Sequence, residues 1–405
     1  MLDCSSIKKD FPELSTGLIY LDNAASTLKP YNVLEAMREF AGKKYANVHR
    51  GVYTEAVEAT REYEEAHRVV ARFIGAREGE VVFVPQGTTR AIQLAALLIH
   101  YNAGLSGGDE IIVPGDAHNS NLLPWRQLSR LTGARLKIVP VDREGVPRWD
   151  ELGGLITRNT KVVAVTHVSN VTGYESPVRD ISGIAHEHGA LVVVDGAQST
   201  PHMPIDVRGL GADFFAFSGH KMLGPTGIGV LWIRGDLAAE WEPPLGGGGT
   251  IKDVIQVDGE VRVLWDDPPW RFEPGTPPII ESIGLAKAIE YLEGLGMENV
   301  AEHERRLVEK TLRGLEGIDK VSVIGPSDPA RRKGIVTLAV EGVNPDLVGL
   351  GLGQRRIAVR TGTHCANMLY HSLGFHEGGV RASFYIYNCP SDVDVFIEEL
   401  SRLIG

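Results

Sequence analysis

Cysteine is scarce in this chain: Cys4, Cys365 and Cys389 lie far apart, with no C-x-x-C pair and no neighbouring histidines at zinc spacing. That speaks against a disulfide framework and a structural metal, and leaves Cys4 and Cys389 as buried or surface thiols without a role. Also missing is any apolar run of the roughly 18 residues that a membrane-spanning helix needs. The opening MLDCSSIKKDFPEL holds no secretion-signal core. A cytoplasmic protein without membrane contact is expected. Basic charge is in deficit as well, with 41 Lys and Arg against 52 Asp and Glu. Such a surface gives nucleic acid no electrostatic footing and leaves a small molecule as the expected ligand.

What is present is the composition of a globular enzyme, 43% hydrophobic and 23% charged over 405 residues, enough for two cores. Short β-branched runs alternate with amphipathic stretches: EVVFV, TTRAIQLAALLIHY, EIIVP, NLLPWRQLSRL, RLKIVPV, KVVAVTHV, ALVVVDG, DFFAF and GIGVLWI. This predicts an α/β domain over residues 17–262 with a mostly parallel, buried sheet. Polar residues at the strand ends then collect where such sheets place ligands. Beyond EPPLGGGGTIKDV and WDDPPWRFEPGTPP, both read as loops, come two long amphipathic helices, short strands and the helix SDVDVFIEELSRLI. These predict a smaller α+β domain over 263–405, joined by residues 1–16 and carrying the Cys365 loop.

Three groups of residues carry chemistry. Asp195 ends the strand of VVVDGAQS, and Lys221 follows the next strand in FSGHKMLGPTG. An acid facing a pyridine nitrogen and a lysine near an aldehyde are what pyridoxal-5′-phosphate (PLP) requires, although singly each residue reads as a turn acid or a surface amine. Gly87-Thr88-Thr89 opens a helix after EVVFV, where free N–H groups, hydroxyls and the helix dipole suit a phosphate or form a plain cap. Further strand ends supply His118, which could stack on a ring or pass protons, and Asn170 and Gln198, which could bond a ring oxygen.

The ordered set D-N-A-A-S-T (residues 22–27), G-T-T, H-x-x-N-x-x-P-W, H-V-S-N, D-G-A-Q, S-G-H-K and R-F-E-x-G-T-P resembles the aminotransferase class V family of fold-type I PLP-dependent enzymes. Within it, V-R-T-G-T-H-C-A and R-A-S-F-Y-I-Y-N resemble the SufS-like (group II) cysteine desulfurases. The resemblance implies Lys221 as Schiff-base lysine, Asp195 on the ring nitrogen, Gln198 on the ring oxygen and His118 stacked on the ring as a proton donor. It implies Thr88, Thr89, Ser218 and His220 on the phosphate, and Asn170, Arg381, Arg360 and Asn23 on the substrate side. Cys365 would carry sulfur from L-cysteine as a persulfide, its thiolate favoured by Arg360 and His364, and a sulfur-acceptor protein would receive it for iron–sulfur assembly. A homodimer is implied, with Thr276 reaching the partner's phosphate.

Two departures border the substrate. Val52-Tyr53 stands where the family commonly has Ile-His, and Thr363-His364-Cys365-Ala366-Asn367-Met368 where it has H-H-C-A-Q-P. A selenocysteine lyase would use the same residues. An aminotransferase would need Lys221 but not Cys365, and a non-catalytic sulfur-delivery scaffold would need neither Lys221 nor Asp195.

Overall fold

The computed structural model describes residues 2–404. Seven strands form the central sheet in the order Val81–Pro85, Ile228–Ile233, Phe214–Ser218, Leu191–Asp195, Thr160–Thr166, Glu110–Pro114, Arg135–Val139. The last five run parallel, and Ile228–Ile233 is antiparallel to both its neighbours. The expected mostly parallel sheet is present.

Side-chain alternation explains why these strands are apolar throughout. Val163, Val165, Val192, Val194, Phe215 and Phe217 enter one core, shared with the helices Thr54–Phe73, Val178–Glu187 and Ile279–Leu295. The intervening Val162, Ala164, Val193, Phe214 and Ala216 enter a second core, under Thr88–Ala103 and Leu123–Thr132. The five parallel strands end at the same edge, and Lys221, Asp195 and His118 stand at or just beyond it.

The smaller sheet is antiparallel, ordered Val321–Ile324, Ile335–Val340, Gly379–Ser383, Arg360–Gly362. Its core takes Leu307, Val308 and Leu312 of the helix Met297–Leu315, and Val393, Phe396 and Leu400 of the helix Pro390–Ile404. Leu285, Ile289 and Leu292 of Ile279–Leu295 lie in the first core of the large sheet, as does Val300 at the start of Met297–Leu315. An amphipathic pattern states that a helix packs, not against which sheet.

The stretch read as loop around the glycine run contains a hairpin, Ile251–Val257 paired with Glu260–Trp265. It turns through Asp258 and Gly259, both at positive φ, the Asp-Gly signature of a mirror-image two-residue turn. Val254, Ile255, Val261, Val263 and Leu264 are exposed along it. Among the described residues no helix is long and apolar enough to cross a membrane.

Cys4 and Cys389 form a disulfide, their Cα atoms 5.5 Å apart, which corrects their reading as unpaired thiols. The pairing is invisible in sequence because 385 residues separate them. The fold brings them together by seating the first helical turn against the start of Pro390–Ile404, where Lys8 also pairs with Asp392 at 2.8 Å. Closing so long a loop restricts the unfolded chain by on the order of 6 kcal/mol. Cys389→Ser should therefore lower Tm by roughly 7 °C in a chain of this size. Reductant should bring the unmutated protein down to the same value, and a Tm indifferent to both changes would remove the disulfide from the stability account.

Candidate active site

The strand ends converge on a cleft of about 550 Å³. Lys221 lies on its wall in a single 3₁₀ turn, Gly219–Lys221, that follows Phe214–Ser218. Burial pulls its amine down to about 8, with the Asp195 charge opposing and Arg381 assisting. Only a neutral amine can attack an aldehyde, so cofactor uptake by the apoprotein should quicken about tenfold per pH unit below 8 and level off above. A midpoint near that of a free lysine would show that the cleft does not perturb the amine. Asp195 is buried, its carboxyl pushed up by desolvation and held back by Ala197 N–H on Oδ1 at 3.0 Å and by Lys221.

One end of the cleft is a cradle of donors. Thr88 N–H donates to Ser218 Oγ at 2.7 Å, Thr88 Oγ1 and Ser218 Oγ are 2.6 Å apart, and Thr89 Oγ1 meets Ser120 Oγ at 2.7 Å. Gly87 precedes them at φ +71°, and a Cβ there would come within 2.6 Å of Ser218 Oγ. The glycine thus lets the helix Thr88–Ala103 present its N-terminus to an anion. His220 borders the cradle, kept neutral by burial and by Lys221 and Lys29, with its ring down to about 4.

His118 lines the middle. Ser120 N–H donates to its Nδ1 at 3.0 Å, so the neutral ring carries its proton on Nε2. Burial, then Lys221 and Arg381, depress it to about 3. Gln198 spends one Nε2 proton on Ala24 O at 2.7 Å, and its Oε1 is an orphan. Orphaned too are Asn170 Oδ1, Arg381 Nε and Thr166 Oγ1, all from residues lining this cleft. Buried polar atoms without partners cost stability, and several in one cleft describe a ligand's donors and acceptors.

At the other end, Arg381 is buried and donates to Asn170 O at 2.9 Å. Arg360 grips Asp22 through Nε and Nη2, and Asp22 also lies 3.5 Å from Arg381 Nη2. Two guanidinium groups share one carboxylate, so the pair retains a net positive charge suited to a second carboxylate. Asp22 went unnoticed in the sequence, although it heads the motif that also holds Asn23. Asn23 itself does not reach the cleft. It is fully buried, with Nδ2 given to Ser383 O and Asn388 Oδ1 and its Oδ1 bonded by Tyr387.

Cys365 sits exposed on the cleft rim on a turn in which His364 and Cys365 both have positive φ, 50° and 56°. Neither has glycine's freedom, so the turn must be held from outside. Asn119 N–H donates to Cys365 O at 2.7 Å, Asn170 Nδ2 to His364 O at 2.8 Å, and Ala366 N–H to Thr363 O at 2.8 Å. His364 is not the cationic neighbour expected. It is buried, pressed to about 3, and bonded to Tyr370 Oη at 2.6 Å, so it braces the turn as a neutral ring. The charges that act on Cys365 belong to Lys221 and Arg360. Thr276 lies away from this cleft, in a separate cavity with Arg90 and Glu281.

The aminotransferase class-V family matches residues 19–396. A probable cysteine desulfurase of Aeropyrum pernix is 52% identical over 404 residues, covering 99% of this chain and 98% of that one. The apo structure of a cysteine desulfurase from Thermococcus onnurineus superposes with a TM-score of 0.93 at 41% identity, covering 100% and 98% of the two chains. A cysteine desulfurase structure from Escherichia coli gives 0.90 at 34% identity over 100% and 98%. With its strand-end lysine and acid, its threonine cradle and a match over nearly its whole length, the chain belongs to the aminotransferase class-V family.

Proposed function

We propose that this chain is a PLP-dependent cysteine desulfurase, converting L-cysteine to L-alanine and carrying the sulfur on Cys365. The observation behind this reading is one cleft that holds both the Lys221–Asp195 pair and a thiol on a braced turn. Other reactions of the family need the first feature but not the second. The residues present fit the cofactor: the Thr88, Thr89, Ser218 and His220 cradle would take its phosphate, Asp195 its ring nitrogen and Gln198 its ring oxygen. His118 would cover the ring and Lys221 would bind the aldehyde. Bound there, PLP supplies an electron sink for the substrate's Cα.

The chain's own groups do the rest. Arg381, with Asn170 and Arg360 beside it, orients the substrate carboxylate. Lys221 Nζ, pulled down to about 8 by burial and so neutral above that pH, takes the Cα proton. Cys365 Sγ attacks the substrate sulfur. The new S–S bond forms on Cys365 as the C–S bond breaks, and that bond's electron pair stays on the carbon skeleton. His118 Nε2–H is placed to return a proton as the skeleton becomes alanine. The resulting persulfide faces solvent at the rim, open to an acceptor protein or thiol.

A homodimer completes the reading. Thr276 cannot serve its own cleft, and the exposed apolar hairpin Ile251–Trp265 calls for cover. Incubating the PLP-loaded protein with L-cysteine and measuring alanine and sulfide tests the activity. Cofactor absorbance without alanine would leave the cofactor and remove the desulfurase.

A further inference from the structure

Asp116 stands outside the machinery described so far. It lies in the loop after Glu110–Pro114, two residues before His118, and is fully buried. Neither carboxylate oxygen has a hydrogen-bond partner, and it makes no ion pair among the described residues. The Ser169 hydroxyl comes near enough to favour its anion without reaching hydrogen-bond geometry. An ionised carboxylate so placed loses its hydration with only the Ser169 hydroxyl and its own backbone N–H near enough to favour the charge, so burial dominates and favours the neutral acid. Burial, opposed by Ser169 and reinforced by the charge of Asp195, pushes the group up to about 7.

Its setting links it to the cofactor-binding acid. The strands leading to Asp116 and Asp195 flank Thr160–Thr166, both parallel to it, so the two residues lie at the same sheet edge on either side of one strand. The other titratable groups around it lie on the segments that follow the adjoining strands. They include Tyr174, whose hydroxyl is pushed up by burial and, more weakly, by the charges of Asp116 and Asp142. Beyond them, Glu175 is tied to Lys333 at 2.7 Å, and Arg331 stacks on Tyr174. None of these bonds to Asp116.

We propose that Asp116 is a positioning residue acting through Asp195: a buried carboxyl whose loss of a proton strengthens the hold of Asp195 and its ring nitrogen on theirs. The inference rests on the cofactor placement given above. Two measurements on Asp116→Asn decide it. In cofactor-free protein, the folded state keeps this proton where the unfolded chain has released it. Asp116 therefore costs stability increasingly from about pH 4 to pH 7, and constantly above. The variant's Tm advantage should grow by several degrees between pH 5 and pH 8, and an advantage that does not change with pH overturns the proposal. In PLP-loaded protein, the midpoint of the cofactor's absorbance change with pH should fall by about half a unit or more in the variant. An unchanged midpoint beside a pH-dependent Tm makes Asp116 a structural acid alone, and also overturns it. The first measurement needs neither cofactor nor turnover, so its failure is distinct from failure of the desulfurase reading.

Discussion

Lys221→Ala should give a folded protein that holds no covalent cofactor and turns over L-cysteine at least ~10³-fold more slowly. Folding should survive because, among the described residues, Lys221 Nζ makes no hydrogen bond or ion pair, and burial already disfavours its charge. Removing such an amine relieves a desolvation cost, so Tm should hold or rise while activity vanishes. That split separates a catalytic lysine from a structural one. Cofactor absorbance resistant to dialysis, together with residual turnover within tenfold of the unmutated protein, would move the attachment point elsewhere.

Cys365→Ser is the second large effect, and its signature is the reverse. The Cys365 thiol makes no bond to the cradle residues or to Lys221, so absorbance and lysine attachment should persist. Serine is nearly isosteric and is held by the same bonds from Asn119 and Asn170, so the strained turn should survive. The hydroxyl remains protonated at neutral pH and cannot take sulfur, so persulfide should disappear and alanine formation fall by on the order of a hundredfold or more. Radiolabelled sulfur retained on the protein after gel filtration reads this directly. Equal labelling of the Ser variant would assign the sulfur to another acceptor.

The sequence reveals the sheet and its chemical edge because both follow from local pattern. Valine runs such as VVAV and VVVD, apolar on both alternating faces, read as central strands, and Asp195, His118 and Lys221 stand at or just beyond strand ends. The hairpin was legible too, since Val257-Asp258-Gly259-Glu260 is a turn signal between alternating strands, but the glycine run and prolines beside it drew the reading toward loop. Other features depend on distant neighbours. Asn23 lies in a motif but is consumed by Ser383, Tyr387 and Asn388. His364 adjoins the thiol but is silenced by burial and Tyr370. Asp116 became noticeable only once its surroundings were seen to offer no partner.

The bond between Cys4 and Cys389 also turns most of the polypeptide into a covalent ring, with only the terminal helix and the first residues outside it. A protease that nicks the exposed Asp258-Gly259 turn therefore opens the ring without releasing a fragment. The cut molecule runs as one species until a reductant is added, so an apparently intact band on a non-reducing gel does not certify an uncut chain.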